Sequence, residues 1–246
     1  MKFVIMPDYD QMSRAAADAI VEQLIDKPDS VLGLATGSTP IGMYASLVSD
    51  VEAGKVSFAD VSTFNLDEYL GLEPTHDQSY RYFMNDNLFD HVDIDKARTH
   101  VPSGIGDAME EICEDYEAKI ALAGGIDLQV LGIGNNGHIG FNEPAESFPV
   151  ATHCVQLTES TIQANSRLFD SIDEVPREAY TMGIGTIMKA RRILMVVSGG
   201  DKAEILEKCL FGPVVPEVPA SALQLHPAVT VVCDAAAGAR CRAHLA

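Results

Sequence analysis

The chain has 246 residues, 47% of them hydrophobic, which is enough to bury one large α/β core or two small ones. Its 36 acidic and 17 basic side chains leave a formal charge of −19, a surface that repels nucleic acid and anionic membranes and excludes both as main partners. No apolar run approaches the roughly 20 residues that span a bilayer, and the opening stretch MKFVIMPDYD lacks a signal peptide's apolar region, so a cytoplasmic location is expected.

In chain order, KFVIM (Lys2 to Met6) reads as a first strand, followed by a helix with Met12, Ala16, Ile20 and Leu24 on one face. Further strands are expected at Val31–Ala35, Val61–Asn65, Ile126–Ile133, Tyr180–Gly183, Ile193–Ser198 and Val229–Cys233. Helical patterns occupy Pro40–Gly54, Asp107–Leu122 and Lys202–Leu210 between them. Continuous apolar strands separated by helices predict an α/β fold with a doubly wound, largely parallel sheet covered on both faces, Rossmann-like in its layering. No repeat, low-complexity tract or linker interrupts the pattern, so residues 1–246 read as a single domain. The five cysteines (Cys113, Cys154, Cys209, Cys233 and Cys241) are odd in number and form no CxxC pair, which favours reduced thiols over disulfides or a zinc site.

Sheets of this class bind ligands beyond the carboxyl ends of their strands. Four such ends are chemically unusual. In LATGSTP, Gly37 permits a tight turn, Thr39 can cap a helix and Pro40 suits its first turn. The free amides there, with the Ser38 and Thr39 hydroxyls, favour an anion such as phosphate, although a well-capped turn with no ligand would look the same. FNLDEY places Asp67 and Glu68 just past a strand, either as a polar turn or as a carboxylate base beside a pocket.

The third end, GIGNNGHIGFNEP, carries His138 and Glu143 among four glycines. An imidazole there can move protons near neutral pH, and Glu143 could fix its tautomer; a structural histidine in a long turn is the competing reading. A dinucleotide site is rejected because no ribose-binding acid follows at the required distance, and one His with one Glu does not define a metal site. In VVSGGDKA, Lys202 falls in the first turn of a helix, where a cation is unfavourable unless an anion lies in front of it.

Taken together and in this order, LATGSTP, FNLDEY, GNNGHIGFNEP, ANSR, VSGGDKA and LQLHP resemble the glucosamine-6-phosphate deaminase family, from about Val31 to Cys233. The related 6-phosphogluconolactonases share the fold and a similar phosphate-binding turn. The resemblance implies conversion of glucosamine 6-phosphate and water to fructose 6-phosphate and ammonia, with no metal or organic cofactor. It assigns ring opening to His138 supported by Glu143 and Asn136, and transfer of the C2 proton to Asp67. It adds Arg167 to Gly37, Ser38, Thr39 and Lys202 as the phosphate pocket, and a lid near residues 158–177.

Two departures stand out. Well-known allosteric members of that family carry Asp where this chain has Asn136. They also bind N-acetylglucosamine 6-phosphate through basic and hydroxyl residues where this chain has His153, Val155 and Gln156, and through a C-terminal extension that is nearly absent here. Loss of that activation is therefore expected, as is a monomer or small homo-oligomer.

Overall fold

The computed structural model describes residues 1–106, 108–166, 169 and 171–245. Strand β1 (Lys2–Met6) leads to Asp8, whose side chain accepts the Gln11 amide at 2.8 Å and so caps α1 (Tyr9–Asp26). The predicted stripe of Met12, Ala16, Ile20 and Leu24 is buried. Then follow β2 (Val31–Leu34), α2 (Ile41–Glu52), β3 (Ser62–Asn65), β4 (Asp67–Tyr69), α3 (Tyr80–Met84), β5 (Thr99–His100), α4 (Met109–Leu122) and β6 (Leu128–Leu131). The chain continues through β7 (His153–Gln156), α5 (Glu159–Asn165), β8 (Glu178–Thr181), α6 (Ile184–Met188), β9 (Arg192–Val197), α7 (Ala203–Phe211) and β10 (Val229–Asp234).

Seven strands form one parallel sheet in the order β1-β10-β9-β6-β2-β3-β5. From β2 the chain winds outward through β3 and β5, then returns to β6 and winds the other way through β9 and β10. The reversal falls between β2 and β6, which is where the topology opens a crevice at the carboxyl ends. The four strands whose ends carry the unusual motifs, β9, β6, β2 and β3, are contiguous. At about 4.8 Å per strand they place all four motifs within roughly 15 Å. One apolar core, with Met12, Leu32, Leu34, Met43, Tyr44 and Phe64 among its fully enclosed members, joins the helices to the sheet.

Several expectations need correction. The strand expected at Tyr180–Gly183 is β8 (Glu178–Thr181), and it belongs to a separate antiparallel sheet, β4-β8-β7, because its backbone is paired on one side by β4 and on the other by β7, which leaves no edge for the parallel strands. Asp67 and Glu68 lie in a strand rather than a turn. Leu66 alone separates β3 from β4, its amide bonded to Leu34 O and its carbonyl to the Met182 amide, so the chain passes from one sheet to the other without a loop. Short strands β5 and β7 were not foreseen. Of the expected helix ends, Lys202 precedes α7 in a 3₁₀ turn (Gly200–Lys202), and Asp107 lies outside the described residues. Among the described residues, no helix is long and apolar enough to cross a membrane.

Candidate active site

The loop after β6 is built around His138. Gly134 N donates to His138 O at 2.9 Å, closing a turn, and the imidazole lies where a side chain on residue 134 would project. A Cβ at that position would fall 2.1 Å from the ring, so glycine is a steric requirement of the histidine's pose. Further along, Phe141 anchors the loop in a second apolar cluster with Tyr69, Leu72, Leu157, Ile162, Val175 and Ala179. The Asn142 side-chain amide donates to Ile139 O and Met182 O, each at 2.8 Å, and pins the same loop to the chain just after β8.

Glu143 returns towards His138, its Oε1 3.5 Å from Nδ1. That is ion-pair distance for a protonated ring rather than a well-aligned hydrogen bond. Asn136 Nδ2 donates to Glu143 Oε2, and Thr161 Oγ1 donates to Oε1 at 2.8 Å. Burial disfavours the charged form of Glu143, but His138, Thr161 and Asn136 outweigh it and lower its pKa to about 2. Asn136 does not reach the imidazole as an acceptor: its Oδ1 takes the His138 backbone amide at 3.2 Å. Its support of His138 therefore runs through the backbone and through Glu143.

Asp67 stands across from this loop. It pairs with Thr181 in the antiparallel ladder, and Thr181 Oγ1 accepts the Phe141 amide at 3.0 Å. Gly140, at φ +58°, passes so close that a Cβ would meet Thr181 Oγ1 at 2.6 Å and Asp67 Oδ2 at 3.5 Å. Asp67 as a residue is only 7% exposed. Burial, and after it the charge of neighbouring Glu68, raises its pKa to about 8. Glu68 points away from it into a cradle of backbone amides from Tyr69, Tyr80 and Arg81, at 2.8, 2.9 and 3.0 Å. The two adjacent carboxylates thus have unlike tasks. One caps a helix start, and the other is left desolvated beside the histidine loop.

The turn expected to favour an anion and Lys202 lie at the ends of β2 and β9. Gly37 adopts φ +95°, and the turn delivers Ser38 and Thr39 to the crevice. Thr39 is not the cap of α2: Pro40 holds that position in helical geometry with no side-chain bond of its own, and the Gly42 amide in the first turn is taken by Tyr9 OH instead. The Thr39 hydroxyl instead lies 3.4 Å from that of Ser198, joining the two strand ends. Lys202, its side chain 20% exposed, donates to Asn135 Oδ1 and lies 4.0 Å from Asp201. Burial lowers its pKa despite Asp201. Arg167 lies outside the described residues, as do Leu168 and Asp170 of the expected lid.

Several supporting residues escaped the sequence reading. Tyr9 OH donates into the Ser38 and Thr39 carbonyls at 3.2 and 3.1 Å and accepts the Gly42 amide at 2.9 Å, bracing the turn after β2 from α1. Asn135 had a visible signal, since it lies inside GNNGH. Thr161, Thr181 and Tyr9 had none, because their roles arise only from folding.

The family model for glucosamine-6-phosphate isomerases/6-phosphogluconolactonase matches residues 7–232. A glucosamine-6-phosphate deaminase of Lachnoclostridium phytofermentans is 56% identical over 233 residues, covering 95% of this chain and 99% of the relative. A solved structure of a monomeric glucosamine-6-phosphate deaminase is 46% identical, covers 98% of this chain and 100% of its own, and superposes with a TM-score of 0.94. The 6-phosphogluconolactonase of Trypanosoma brucei shares the fold at a TM-score of 0.74 but only 18% identity, covering 97% of each chain. With the loop, the paired sheets and these similarities in agreement, the chain belongs to the glucosamine-6-phosphate isomerase/6-phosphogluconolactonase family.

Proposed function

We propose that the chain converts glucosamine 6-phosphate and water into fructose 6-phosphate and ammonia. The observation that carries this is the convergence of a desolvated carboxyl, Asp67, on the loop that holds His138 and Glu143, with Lys202 on an adjoining strand end. Relatives that bear the deaminase name at more than 50% identity over nearly the whole chain support the same reading.

In this reading the substrate phosphate sits against the Gly37–Ser38–Thr39 turn, Lys202 and Arg167, a local positive pocket in a chain of charge −19. His138, held over Gly134 and paired with Glu143, shuttles a proton to and from the ring oxygen and opens the pyranose. Asp67 takes the C2 proton of the open aldehyde form and returns it to C1 through an enolamine. Water then hydrolyses the resulting ketimine and ammonia leaves. A base whose pKa lies near the working pH suits such a transfer, because it can both accept and return the proton. The chemistry proposed uses side chains and water only, and the likeness to a monomeric glucosamine-6-phosphate deaminase supports a monomer or small homo-oligomer. The five unpaired cysteines favour a reducing compartment such as the cytoplasm.

Lactone hydrolysis is the rival within the family. It transfers no carbon-bound proton and leaves the buried Asp67 without a task. The deciding measurement mixes the chain with glucosamine 6-phosphate and follows ammonia and fructose 6-phosphate, with 6-phosphogluconolactone as the comparison substrate. Release of neither product from the amino sugar sinks the proposal.

A further inference from the structure

We propose that the Thr161 hydroxyl is a positioning group that sets Glu143 against His138, so that the helix carrying it is a working part of the proton-transfer apparatus. The inference rests on the proposed role of the His138–Glu143 pair. Thr161 lies in α5, and its Oγ1 is 2.8 Å from Glu143 Oε1, the same oxygen that faces His138 Nδ1 at 3.5 Å. The other carboxylate oxygen takes Asn136. One oxygen is therefore held by the loop itself, and the oxygen nearest the imidazole is held from another element.

Proton accounting fixes the direction of the bond to Glu143. An ionised carboxylate can only accept, so Thr161 must donate to it. The Thr158 hydroxyl lies 3.0 Å from that of Thr161, and its oxygen accepts the Thr161 amide at 3.3 Å as the cap of α5. Cap, hydroxyl and carboxylate are thereby linked from the start of α5 to the side of the histidine. Their placement depends on apolar packing: Ile162, the next residue of α5, and Leu157 are buried in the second cluster together with Phe141 of the histidine loop. Docking of α5 and orientation of Glu143 are thereby one event. With one lone pair of Oε1 engaged by Thr161, rotation of the carboxylate is restricted and the remaining lone pair stays towards the ring.

The test compares Thr161→Val, which keeps the shape and loses the hydroxyl, with Thr161→Ser, which keeps the hydroxyl and loses the methyl. Loss of a hydrogen bond to a charged group predicts a kcat lower by roughly tenfold or more in Thr161→Val, with KM within about twofold. Thr161→Ser should stay within about twofold of the parent, and Thr161→Val should add nothing in a Glu143→Gln background. If Thr161→Val reduces folded yield, Thr161→Ala serves with the same expected split. Unchanged kcat in the Val and Ala variants, a loss that Ser does not restore, or a full additional loss in the Glu143→Gln background overturns the inference. A Glu143→Gln variant that opens the sugar ring at the parent rate overturns the underlying role of the pair instead.

Discussion

Asp67 sits directly opposite Thr181 in the β4–β8 ladder, and the Thr181 hydroxyl in turn holds the amide of Phe141. Strand pairing thereby fixes the distance between a buried carboxyl and the loop that ends in the His138–Glu143 pair. The small antiparallel sheet is thus more than an appendage of the parallel one. It sets Asp67 against the loop while the parallel sheet sets Lys202 and the Gly37 turn. A sugar phosphate reaching from one to the other would bridge the two sheets.

Replacing Asp67 by Asn should lower kcat by about 10²-fold or more and abolish exchange of the substrate C2 proton with solvent, while binding persists. The same variant should change how stability depends on pH. Asp67 has a pKa of about 8 when folded, against 3.8 as the ordinary value. Between those values the folded chain binds one more proton at this residue than the unfolded chain, so this group's contribution to stability falls as pH rises. Urea unfolding of both proteins at several pH values should show the Asn variant gaining on the parent from about pH 4 to about pH 8. A constant difference across that window would mean that the carboxyl is not desolvated.

Gly134→Ala tests the pose of His138 without touching its chemistry. The new methyl would fall 2.1 Å from the imidazole and must displace it. Misplacement of a reacting group by about 1 Å can cost on the order of 10² in rate. Turnover of the cyclic substrate should fall accordingly, while an open-chain analogue, which needs no ring opening, should be affected much less. Equal losses on both substrates would remove His138 from the ring-opening step.

The parts of this site that could be read from sequence are those with local signals. Apolar runs mark β2, β3, β6 and β9, and glycines mark where β2, β6 and β9 give way, so Gly37, His138 and Lys202 are legible as strand-end residues. The three-residue strand β4 could not be read. Two of its residues are carboxylates, and their burial follows from pairing with β8, far along the chain. Thr39 misled for the opposite reason: a residue type that caps helices stands beside a proline, but Pro40 takes the cap position and Thr39 turns to Ser198. For Asn136 the sequence gives proximity to His138 and Glu143 along a loop but not which atom faces which; its bonds to Glu143 Oε2 and the His138 amide appear only in the fold.

The Lys202 side chain is largely buried, its hydrogen-bond partner Asn135 is neutral, and its nearest carboxylate, the exposed Asp201, stands 4.0 Å off, which leaves the ammonium able to serve an anion. Lys202→Met should raise KM for the sugar phosphate by roughly tenfold or more while kcat changes little, and inhibition by inorganic phosphate should weaken in parallel. A KM unchanged by this substitution would place the phosphate elsewhere. Asn135→Ala should produce a smaller rise in KM, because it releases the lysine without removing its charge.

The β7 edge predicts the response to N-acetylglucosamine 6-phosphate. His153 Nδ1 lies 3.0 Å from Ala151 O, and Gln156 Nε2 donates to Glu178 Oε1 at 2.5 Å. Those side chains are thus engaged locally, and Glu178 adds a negative charge where a sugar phosphate would need a positive one. Val155 offers no polar group at all. An anion approaching this edge meets repulsion in place of the cation contacts that phosphate recognition requires. Steady-state rates against glucosamine 6-phosphate should therefore be superimposable with and without the acetylated sugar phosphate at concentrations too low to compete at the active site. A rise in rate at low substrate on its addition would show that cationic groups elsewhere on the chain supply the missing site.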